Sequence, residues 1–354
     1  MEQKKKVFVG MSGGVDSAVS AYLLKKEGYD VTGVFIKTWQ PPFMDCNSKQ
    51  ERIDAMRVAA ILDIPFLTLD LEKEYKKYVV DYMVNEYIDG HTPNPDVMCN
   101  KFIKFGYFLQ YALKNGADFI ATGHYAKNIK SKNGIMMLAE PKDTNKDQRY
   151  FLWTLTQKEL KYILFPVGDL KKTEVRDIAK TAGLMNWQKA DSQGVCFLGK
   201  INMKDFLTHF IKEKRGDILN TRGEIIGQHK GAFFYTIGQR HGFELFDKFQ
   251  SKGPYYISNK IFEENILVAT PSSEALEPYK ELTDYEISWI GDPPDDNTIV
   301  TIQTRYRGPK TKANITKNNG NWKMILEENG EFIAGGQSLV IYSNKYCIGG
   351  AIIK

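Results

Sequence analysis

The sequence predicts an α/β protein with a doubly wound parallel-sheet domain, a small mostly β central domain and a C-terminal β-barrel. Short apolar runs alternate with segments of helical periodicity through the first part of the chain. The glycine-rich turn GMSGG follows the first apolar run and opens a helix. After about residue 216 the helical periodicity disappears, and short alternating segments are broken by Gly, Asn and Pro.

The first elements form a strand, helix, strand unit. KVFVGM (6–11) and YDVTGVFIK (29–37) are short apolar or β-branched runs, and SAVSAYLLKKEG between them carries apolar residues at helical spacing. The pattern continues with a helix at about 50–63, the strand IPFLTLDL, helices at about 73–90 and 100–115, and the strand ADFIATGHY. Such alternation predicts a parallel sheet whose ligands bind at the carboxyl ends of the strands.

The later chain is predicted to form two β domains. GDILNTRGEIIGQHKGAFFYTIGQRHG, GPYYISNKIFEENILVA and everything after residue 280 have the short, turn-rich segments of β structure. We place the domains at 1–205, 206–278 and 279–354, the last of them a barrel.

Composition narrows the class of protein. The 354 residues are 42% hydrophobic and 12% aromatic, which is typical of globular chains, and a net charge of +5 is too small to imply a nucleic-acid partner. Cys46, Cys99, Cys196 and Cys347 form no C-x-x-C pair, so no metal site is predicted. The sequence shows neither a secretory signal nor a membrane span, and we expect a cytoplasmic protein with reduced cysteines.

The stretch SGGVDS lies between the first strand and its helix, with Asp16 and Ser17 at the helix start. It lacks the spacing and the lysine of a Walker loop, and an ordinary tight turn is the alternative. A glycine-rich turn that opens a helix can cradle phosphate with its backbone N–H groups. Because TGH (122–124) ends a later strand, we interpret the loop as an ATP pyrophosphate site.

Two cysteines lie in unusual settings. In HTPNPDVMCNKFIKF (91–105), Cys99 is either a small core residue or a thiol that a helix N-terminus, Lys101 and Lys104 favour as thiolate. Cys196 lies in DSQGVCFLG, where a buried strand cysteine is the alternative. An ATP site with two thiols can activate an oxygen and replace it with sulfur.

Other segments support two interpretations each. NKDQRYFLWTL (145–155) suits ligand binding or a solvated surface equally, and KTEVRDIAKTAGL has the pattern of an ordinary amphipathic helix. Arg240, Arg305 and Arg307 stand beside aromatics and glycines, which suits RNA contacts or a charged hairpin surface.

These residues resemble the tRNA-specific 2-thiouridylases over nearly the whole chain. The matching motifs, in order, are GMSGGVDSAVS, TPNPDVMCNKFIKF, IATGHYA, KDQRYFL, FPVGDL, DSQGVCFLG, YTIGQRHG, TRYR and GGQSLVIY. Nine ordered matches are far more specific than any one of them. Ile36 and Ala18 depart from many relatives at positions that tolerate the change, and the segment FELFDKFQSKGPYY lacks the glycine-rich stretch of some relatives.

The resemblance implies an adenine-nucleotide-hydrolase-like domain with a P-P loop, a small central domain and a C-terminal β-barrel. It also implies binding sites for ATP and tRNA. The implied ATP-binding residues are Gly10, Met11, Ser12, Gly13, Gly14, Val15, Asp16, Ser17 and Gly123, with the backbone of Ile36 at the adenine. The implied contacts to the target base are Asn94, Pro95 and Asp96. The implied contacts to tRNA are His124, Lys146, Asp147, Gln148, Arg305, Tyr306 and Gln337.

The implied reaction replaces the C2 oxygen of the wobble uridine with sulfur. The oxygen attacks the α-phosphate of ATP, Mg²⁺ neutralises the phosphates, and pyrophosphate leaves. Cys196 accepts sulfur as a persulfide from a cysteine desulfurase or relay protein. Cys99 then closes a disulfide with Cys196 or releases sulfide, and Asp96 handles the uridine proton.

Two other functions fit the residues alone. An ATP-dependent amidotransferase or ligase on a small molecule would need no paired cysteines. A nucleic-acid-binding module with a vestigial ATP loop would bind tRNA without forming AMP or pyrophosphate. A thiolase that uses an iron–sulfur cluster is disfavoured because the chain lacks a C-x-x-C pair.

Overall fold

The computed structural model describes residues 4–44, 48–190, 194, 196, 202–251, 253–271, 279–318, 321–328 and 333–353. Cys46, to which sequence reasoning gave no role, lies outside the described residues. Three β-sheets organise the described chain, one for each part that the sequence predicts to be a domain.

The first sheet is parallel throughout, as the alternating pattern predicts. Its strands are β1 (Lys6–Gly10), β2 (Asp30–Lys37), β3 (Phe66–Asp70), β4 (Phe119–Ala121) and β7 (Ile163–Leu164), in the order β3-β2-β1-β4-β7. Successive residues of a strand point to opposite faces, so Phe8 packs into one hydrophobic core while Val7 and Val9 pack into another. Both faces of the sheet are therefore covered.

The helices predicted from apolar periodicity are all present, together with three short ones that were not predicted. The α-helices are α1 (Val15–Lys26), α2 (Ser48–Ile61), α3 (Glu72–Tyr75), α4 (Tyr82–Ile88), α5 (Pro95–Met98), α6 (Phe108–Lys114), α7 (Gln157–Leu160), α8 (Lys172–Thr181), α9 (Met203–Thr208) and α10 (Asp247–Gln250). Short 3₁₀ turns cover Thr144–Lys146, Arg149–Phe151 and Ala232–Phe234. Helices α1, α2 and α8 pack on one face of the sheet, and the chain from α3 to α6 packs on the other.

Two of the predicted helices contain π-helical turns. Lys76–Asp81 joins α3 to α4, and Cys99–Tyr107 joins α5 to α6. In a π-helix the backbone bonds run from residue i to i+5, a geometry that is rare and often found at functional sites. Sequence periodicity did not distinguish these turns from α-helix.

The remaining strands form two further sheets. The central sheet has the order β10-β9-β8-β12-β11, and the C-terminal sheet has the order β13-β17-β16-β15-β18-β19-β6-β5, with β14 paired to β19. The central strands are β8 (Gly216–Leu219), β9 (Ile225–His229), β10 (Glu244–Leu245), β11 (Tyr255–Ile261) and β12 (Ile266–Pro271). The C-terminal strands are β13 (Glu281–Tyr285), β14 (Ser288–Trp289), β15 (Thr298–Gln303), β16 (Thr311–Asn318), β17 (Asn321–Leu326), β18 (Ser338–Ser343) and β19 (Tyr346–Ile352).

The C-terminal sheet also takes strands from the first part of the chain. The hairpin of β5 (Lys127–Lys130) and β6 (Met136–Ala139) pairs with β19, with Tyr346 opposite Ala139. The sequence did not reveal this pairing, because β5 and β6 lie between elements of the parallel sheet. The hairpin connects the two sheets directly. Across the part of the chain that the structure describes, no helix has the length and apolarity to cross a bilayer.

Candidate functional site

The glycine-rich loop forms an anion cradle at the carboxyl end of β1. Gly13 has a φ of +74°, and a Cβ there would lie 2.6 Å from the Glu51 carbonyl oxygen, so only glycine fits. The N–H groups of Gly13, Gly14 and Val15 donate to no acceptor within the described part of the chain. Together with the positive end of the α1 dipole, these free donors form a site suited to phosphate.

Side chains hold this loop in shape. The Ser17 hydroxyl donates to the Gly14 carbonyl at 3.2 Å and accepts from the Ser12 N–H at 3.3 Å. The buried Asn186 amide donates to the Gly13 carbonyl at 3.2 Å. The sequence motif predicted the loop residues, whereas Asn186 lies far along the chain and was not predicted.

A lysine from another helix reaches the loop. The Lys172 ammonium pairs with the Asp16 carboxylate at 2.7 Å, and the Tyr125 hydroxyl donates to the same carboxylate at 2.8 Å. Sequence reasoning treated the segment around Lys172 as an ordinary amphipathic helix and found no lysine for the phosphates. One signal was available, since Lys172 opens the helix that follows the last strand of the parallel sheet and therefore lies at the ligand-binding edge.

Gly123 and Ile36 lie at the same edge. A Cβ on Gly123 would lie 2.7 Å from the Ser17 nitrogen, so the end of β4 packs directly against the first turn of α1. Ile36 is buried in β2, one residue before that strand ends. The structure thus brings the predicted nucleotide-binding residues together on neighbouring strands.

A second cluster surrounds Cys196. The Cys196 N–H donates to the Asp96 carboxylate at 2.7 Å, and the Tyr75 hydroxyl donates to the Cys196 carbonyl at 2.6 Å. Asn94, rather than Asp96, caps α5 by accepting from the Asp96 N–H at 3.2 Å, and Pro95 occupies the first helical position. The Asp96 carboxylate is thereby left available to hold Cys196.

The two predicted cysteines meet in this cluster. The Cys99 thiol donates a hydrogen bond to the Cys196 sulfur, and the Lys104 ammonium contacts that sulfur as well. The hydrogen bond from Cys99, reinforced by Lys104, lowers the pKa of Cys196. Burial raises the pKa of Cys99 well above its ordinary value. Cys196 is therefore the more acidic thiol of the pair and Cys99 its hydrogen-bond donor.

His124 connects the two clusters. It follows Gly123 directly, and its Nε2 lies 3.5 Å from the Lys104 ammonium while its Nδ1 lies 2.8 Å from the Thr122 hydroxyl. Burial, together with the positive charge of Lys104, holds the pKa of His124 well below its ordinary value. The nucleotide loop and the thiol cluster are therefore one residue apart on the 122–124 segment.

Burial also changes the pKa of the Asp96 carboxyl group. Desolvation raises the pKa of its carboxyl group, although the bond from the Cys196 N–H and the charge of Lys104 act in the opposite direction. A carboxyl group with a raised pKa can hold or release a proton closer to neutral pH. In the described residues we find no group of three or more His, Cys, Asp or Glu side chains arranged to hold a metal ion.

Two of the predicted tRNA-contacting residues, Asp147 of the first domain and Tyr306 of the third, line one cleft. A cavity of about 230 Å³ is lined by Asp147 and Tyr150 on one side and by Tyr306, Arg307 and Lys310 on the other. The Tyr306 ring lies 4.4 Å from that of Phe151 between centroids. The other predicted contacts of these two segments, Lys146, Gln148 and Arg305, do not line the cavity, and the Gln148 side chain accepts from the Tyr125 N–H at 2.9 Å.

Arg149, which sequence reasoning did not select, fixes one wall of the cleft. Its guanidinium is 1% exposed, binds the carboxylates of Asp147 and Glu140 at 2.7 and 2.9 Å, and donates to the Lys345 carbonyl at 2.7 Å. It therefore joins the loop to the C-terminal sheet. Gln337 makes a similar link, because its side-chain amide donates to the Thr92 carbonyl just before the Asn94 cap.

Three family models match consecutive parts of the chain. The tRNA methyl transferase HUP domain matches residues 5–200, the tRNA methyl transferase PRC-barrel domain matches 204–270, and the aminomethyltransferase beta-barrel domain matches 279–353. These matches confirm the predicted fold class: an α/β nucleotide-binding type of domain, then a small β domain, then a barrel.

Curated relatives match over the full length. The tRNA-specific 2-thiouridylase MnmA of Francisella philomiragia subsp. philomiragia is 42% identical over 357 residues, covering 99% of both chains. The enzymes of the same name from Lactobacillus delbrueckii subsp. bulgaricus and Nitrosomonas europaea are 41% and 42% identical and cover 99% of this chain and 95% and 98% of their own. The resemblance seen in the motifs is confirmed.

Proposed function

Since the chain belongs to the tRNA-specific 2-thiouridylase family, we propose that it catalyses the ATP-dependent 2-thiolation of the wobble uridine of tRNA. The proposal rests on one observation: a loop suited to anions and a pair of contacting thiols lie next to each other. The segment 122–124 joins them, because Gly123 packs on the loop and His124 contacts Lys104 of the thiol cluster. An ATP-dependent ligase would use the loop but would have no need for the thiols.

In the first step, the uridine C2 oxygen attacks the α-phosphate of ATP and pyrophosphate leaves. This step is required because an amide-like oxygen is a poor leaving group, whereas AMP is a good one. The free N–H groups of Gly13, Gly14 and Val15 bind the departing phosphates, and Lys172 adds a positive charge beside them. Ile36 and Gly123 border the nucleotide.

The loop also suits Mg²⁺. This ion is usually held by one or two carboxylates together with substrate phosphates, and Asp16 places one carboxylate at the loop. When bound there, Mg²⁺ neutralises charge on the phosphates. Asp16 would hold the metal there, and the Lys172 ammonium beside it would add a second positive charge.

In the second step, sulfur enters through Cys196. Its thiolate attacks the outer sulfur of a donor persulfide, a new S–S bond forms, and the donor leaves as a thiolate. The terminal sulfur then bonds to C2 as AMP departs. Cys99 displaces that sulfur from Cys196, before or after its attack on C2, and its thiol proton passes to the departing sulfur; a Cys99–Cys196 disulfide remains that an external thiol must reduce. The contact between the two sulfurs supports this exchange.

The remaining predicted residues receive roles by position. Asp96, whose pKa is raised by burial, takes the uridine proton beside Cys196. Asn94 and Pro95 lie next to it and contact the target base. The other tRNA contacts are assigned to His124, Lys146, Asp147, Gln148, Arg305, Tyr306 and Gln337. We further propose a cytoplasmic enzyme that receives sulfur from a cysteine desulfurase or a relay protein.

The test is mass spectrometry of the nucleosides of unmodified tRNA after incubation with the protein, ATP, Mg²⁺ and a persulfide source. We expect 2-thiouridine from the wild type and none from the C99S and C196S variants. C347S is the matched control, because Cys347 is also buried but lies in β19, where burial raises its pKa to about 12. AMP and pyrophosphate without thiouridine would favour a small-molecule ligase, and a methylated nucleoside would favour methyl transfer.

A further inference from the structure

Lys104 is placed among the reacting groups of the thiol cluster. Its ammonium contacts the Cys196 sulfur and lies in the field of both Cys99 and Asp96. Burial acts to lower the pKa of Lys104, but the Cys196 sulfur and the groups beside it outweigh burial and raise it. The side chain is therefore a cation at every pH at which the enzyme would work.

The π-helix determines which residue faces the cysteines. Lys104 stands at position i+5 from Cys99, within the π-helical segment Cys99–Tyr107. Five residues at 3.6 per turn span about 500°, which would place the two side chains on different faces of an α-helix. In the wider π-helix, a residue at i+5 lies close to one turn away and points to the same side. The rare backbone geometry thus aligns the ammonium with the thiols.

The imidazole of His124 is a second partner of the Lys104 ammonium. Because its pKa is well below the ordinary value, the imidazole is neutral and one ring nitrogen must accept. Lys104 can only donate, so Nε2 is the acceptor and Nδ1 carries the hydrogen toward the Thr122 hydroxyl at 2.8 Å. A neutral histidine positions the ammonium without adding a charge of its own.

We propose that the Lys104 ammonium stabilises the Cys196 sulfur as an anion, first as the attacking thiolate and then as the persulfide, and so determines that Cys196 rather than Cys99 accepts sulfur. The use of this anion in thiolation rests on the proposed function. Two nearby groups oppose the effect or leave it unchanged: the Asp96 carboxylate disfavours negative charge on Cys196, and the Tyr75 hydroxyl bonds only to its carbonyl.

The test measures the alkylation rate of each cysteine by iodoacetamide from pH 5 to 10, resolved by peptide mass spectrometry, in the wild type and in K104M, K104Q and K104R. An unperturbed thiol has a pKa of about 8.5. We expect the Cys196 midpoint to lie below that value in the wild type and to rise by about one pH unit in K104M and K104Q, with about tenfold slower alkylation at pH 7. K104R should keep most of the wild-type rate.

K101M is the matched control, because Lys101 is an exposed lysine of the same π-helix that lies over the Phe102 ring. An unchanged Cys196 midpoint in K104Q, or an equal shift in K101M, would overturn the proposal. Thermal melting identifies any variant that does not fold, and the comparison of K104Q with K104R remains if K104M fails. The assay contains neither tRNA nor ATP, so its result stands even if thiolation is not observed.

Discussion

The nucleotide loop and the thiol cluster lie on either side of the 122–124 segment, yet they are built in different ways. The loop is one run of consecutive residues, 10–17, and the groups it offers to a ligand are mainly backbone N–H groups. The cluster gathers side chains from separate segments around the backbone and sulfur of one residue, Cys196, or around its partner Lys104; they are Tyr75, Asp96, Cys99, Lys104 and His124.

This difference determines how each region responds to substitution. A cradle of backbone N–H groups should keep its ligand affinity after most side-chain substitutions, but it should lose affinity when an added atom fills the space of the ligand. A cluster of buried thiol, ammonium and carboxyl groups depends on each member, because a partner removed from such a site leaves another polar group unpaired. We therefore expect substitutions at the loop to change ATP binding and substitutions in the cluster to change the thiols, each without changing the other region.

The largest effect is expected for G123A. The new methyl group would lie 2.7 Å from the Ser17 nitrogen and 2.8 Å from the Asp16 carbonyl carbon, and these backbone atoms cannot move without displacing α1. ATP affinity, measured by calorimetry, should fall on the order of a hundredfold. G291A is the control, since its methyl group would meet Ile135 at an ordinary 3.5 Å. A changed alkylation midpoint for Cys196 in G123A would show that the two regions are coupled.

The next effect is expected for K172M. It leaves the Asp16 carboxylate without its ammonium partner beside the bound phosphates, and like charges repel. We expect about tenfold weaker ATP binding and an unchanged Cys196 midpoint. K142M removes the exposed pair with Glu174 near the start of the same helix and should change affinity less than twofold. Equal losses in both variants would mean that Lys172 acts only through the general field of the protein.

The contrast between the regions also explains what the sequence could reveal. The parallel sheet, the helices and the loop were predicted because each depends on a local pattern: apolar periodicity, or glycines between a strand and a helix. The hairpin of β5 and β6 was not, because its partner β19 lies some two hundred residues away and strand pairing across that separation leaves no local signal.

In the candidate site, too, the sequence revealed residues with a local signal but not the contacts between distant segments. The sequence identified both cysteines through resemblance and unusual settings, but it could not show that Cys196 is held by Tyr75 and Asp96. Arg149 was passed over because a charged residue among polar neighbours suggests solvent exposure, whereas here two carboxylates and a carbonyl compensate its burial. The roles of the individual residues and the domain boundaries remain predictions.

A smaller effect is expected for Y75F, which affects only the cluster. The variant removes the hydroxyl that donates to the Cys196 carbonyl at 2.6 Å and keeps the buried ring. We expect a stability loss of about 1 kcal/mol and thiolation several-fold slower, with ATP affinity unchanged. Y107F is the control, because the Tyr107 hydroxyl makes only a 3.5 Å contact with Tyr78. Wild-type thiolation in Y75F would show that Asp96 alone suffices to place Cys196.

The smallest effect on either region is expected for K260M, which tests whether the central domain matters to them. The Lys260 ammonium donates to the carbonyls of Gly90 and Tyr235, and burial lowers its pKa from 10.5 to about 8. Between these pH values the unfolded chain binds more protons than the folded one, so this residue makes stability rise with pH. From pH 8 to 10.5 the free energy of unfolding of the wild type should rise by about 3 kcal/mol relative to that of K260M. K248M, which removes an exposed surface ion pair, is the control and should show no such gain. In both variants ATP affinity should change less than twofold and the alkylation midpoint of Cys196 should stay the same, because Lys260 contacts neither the loop nor the thiols.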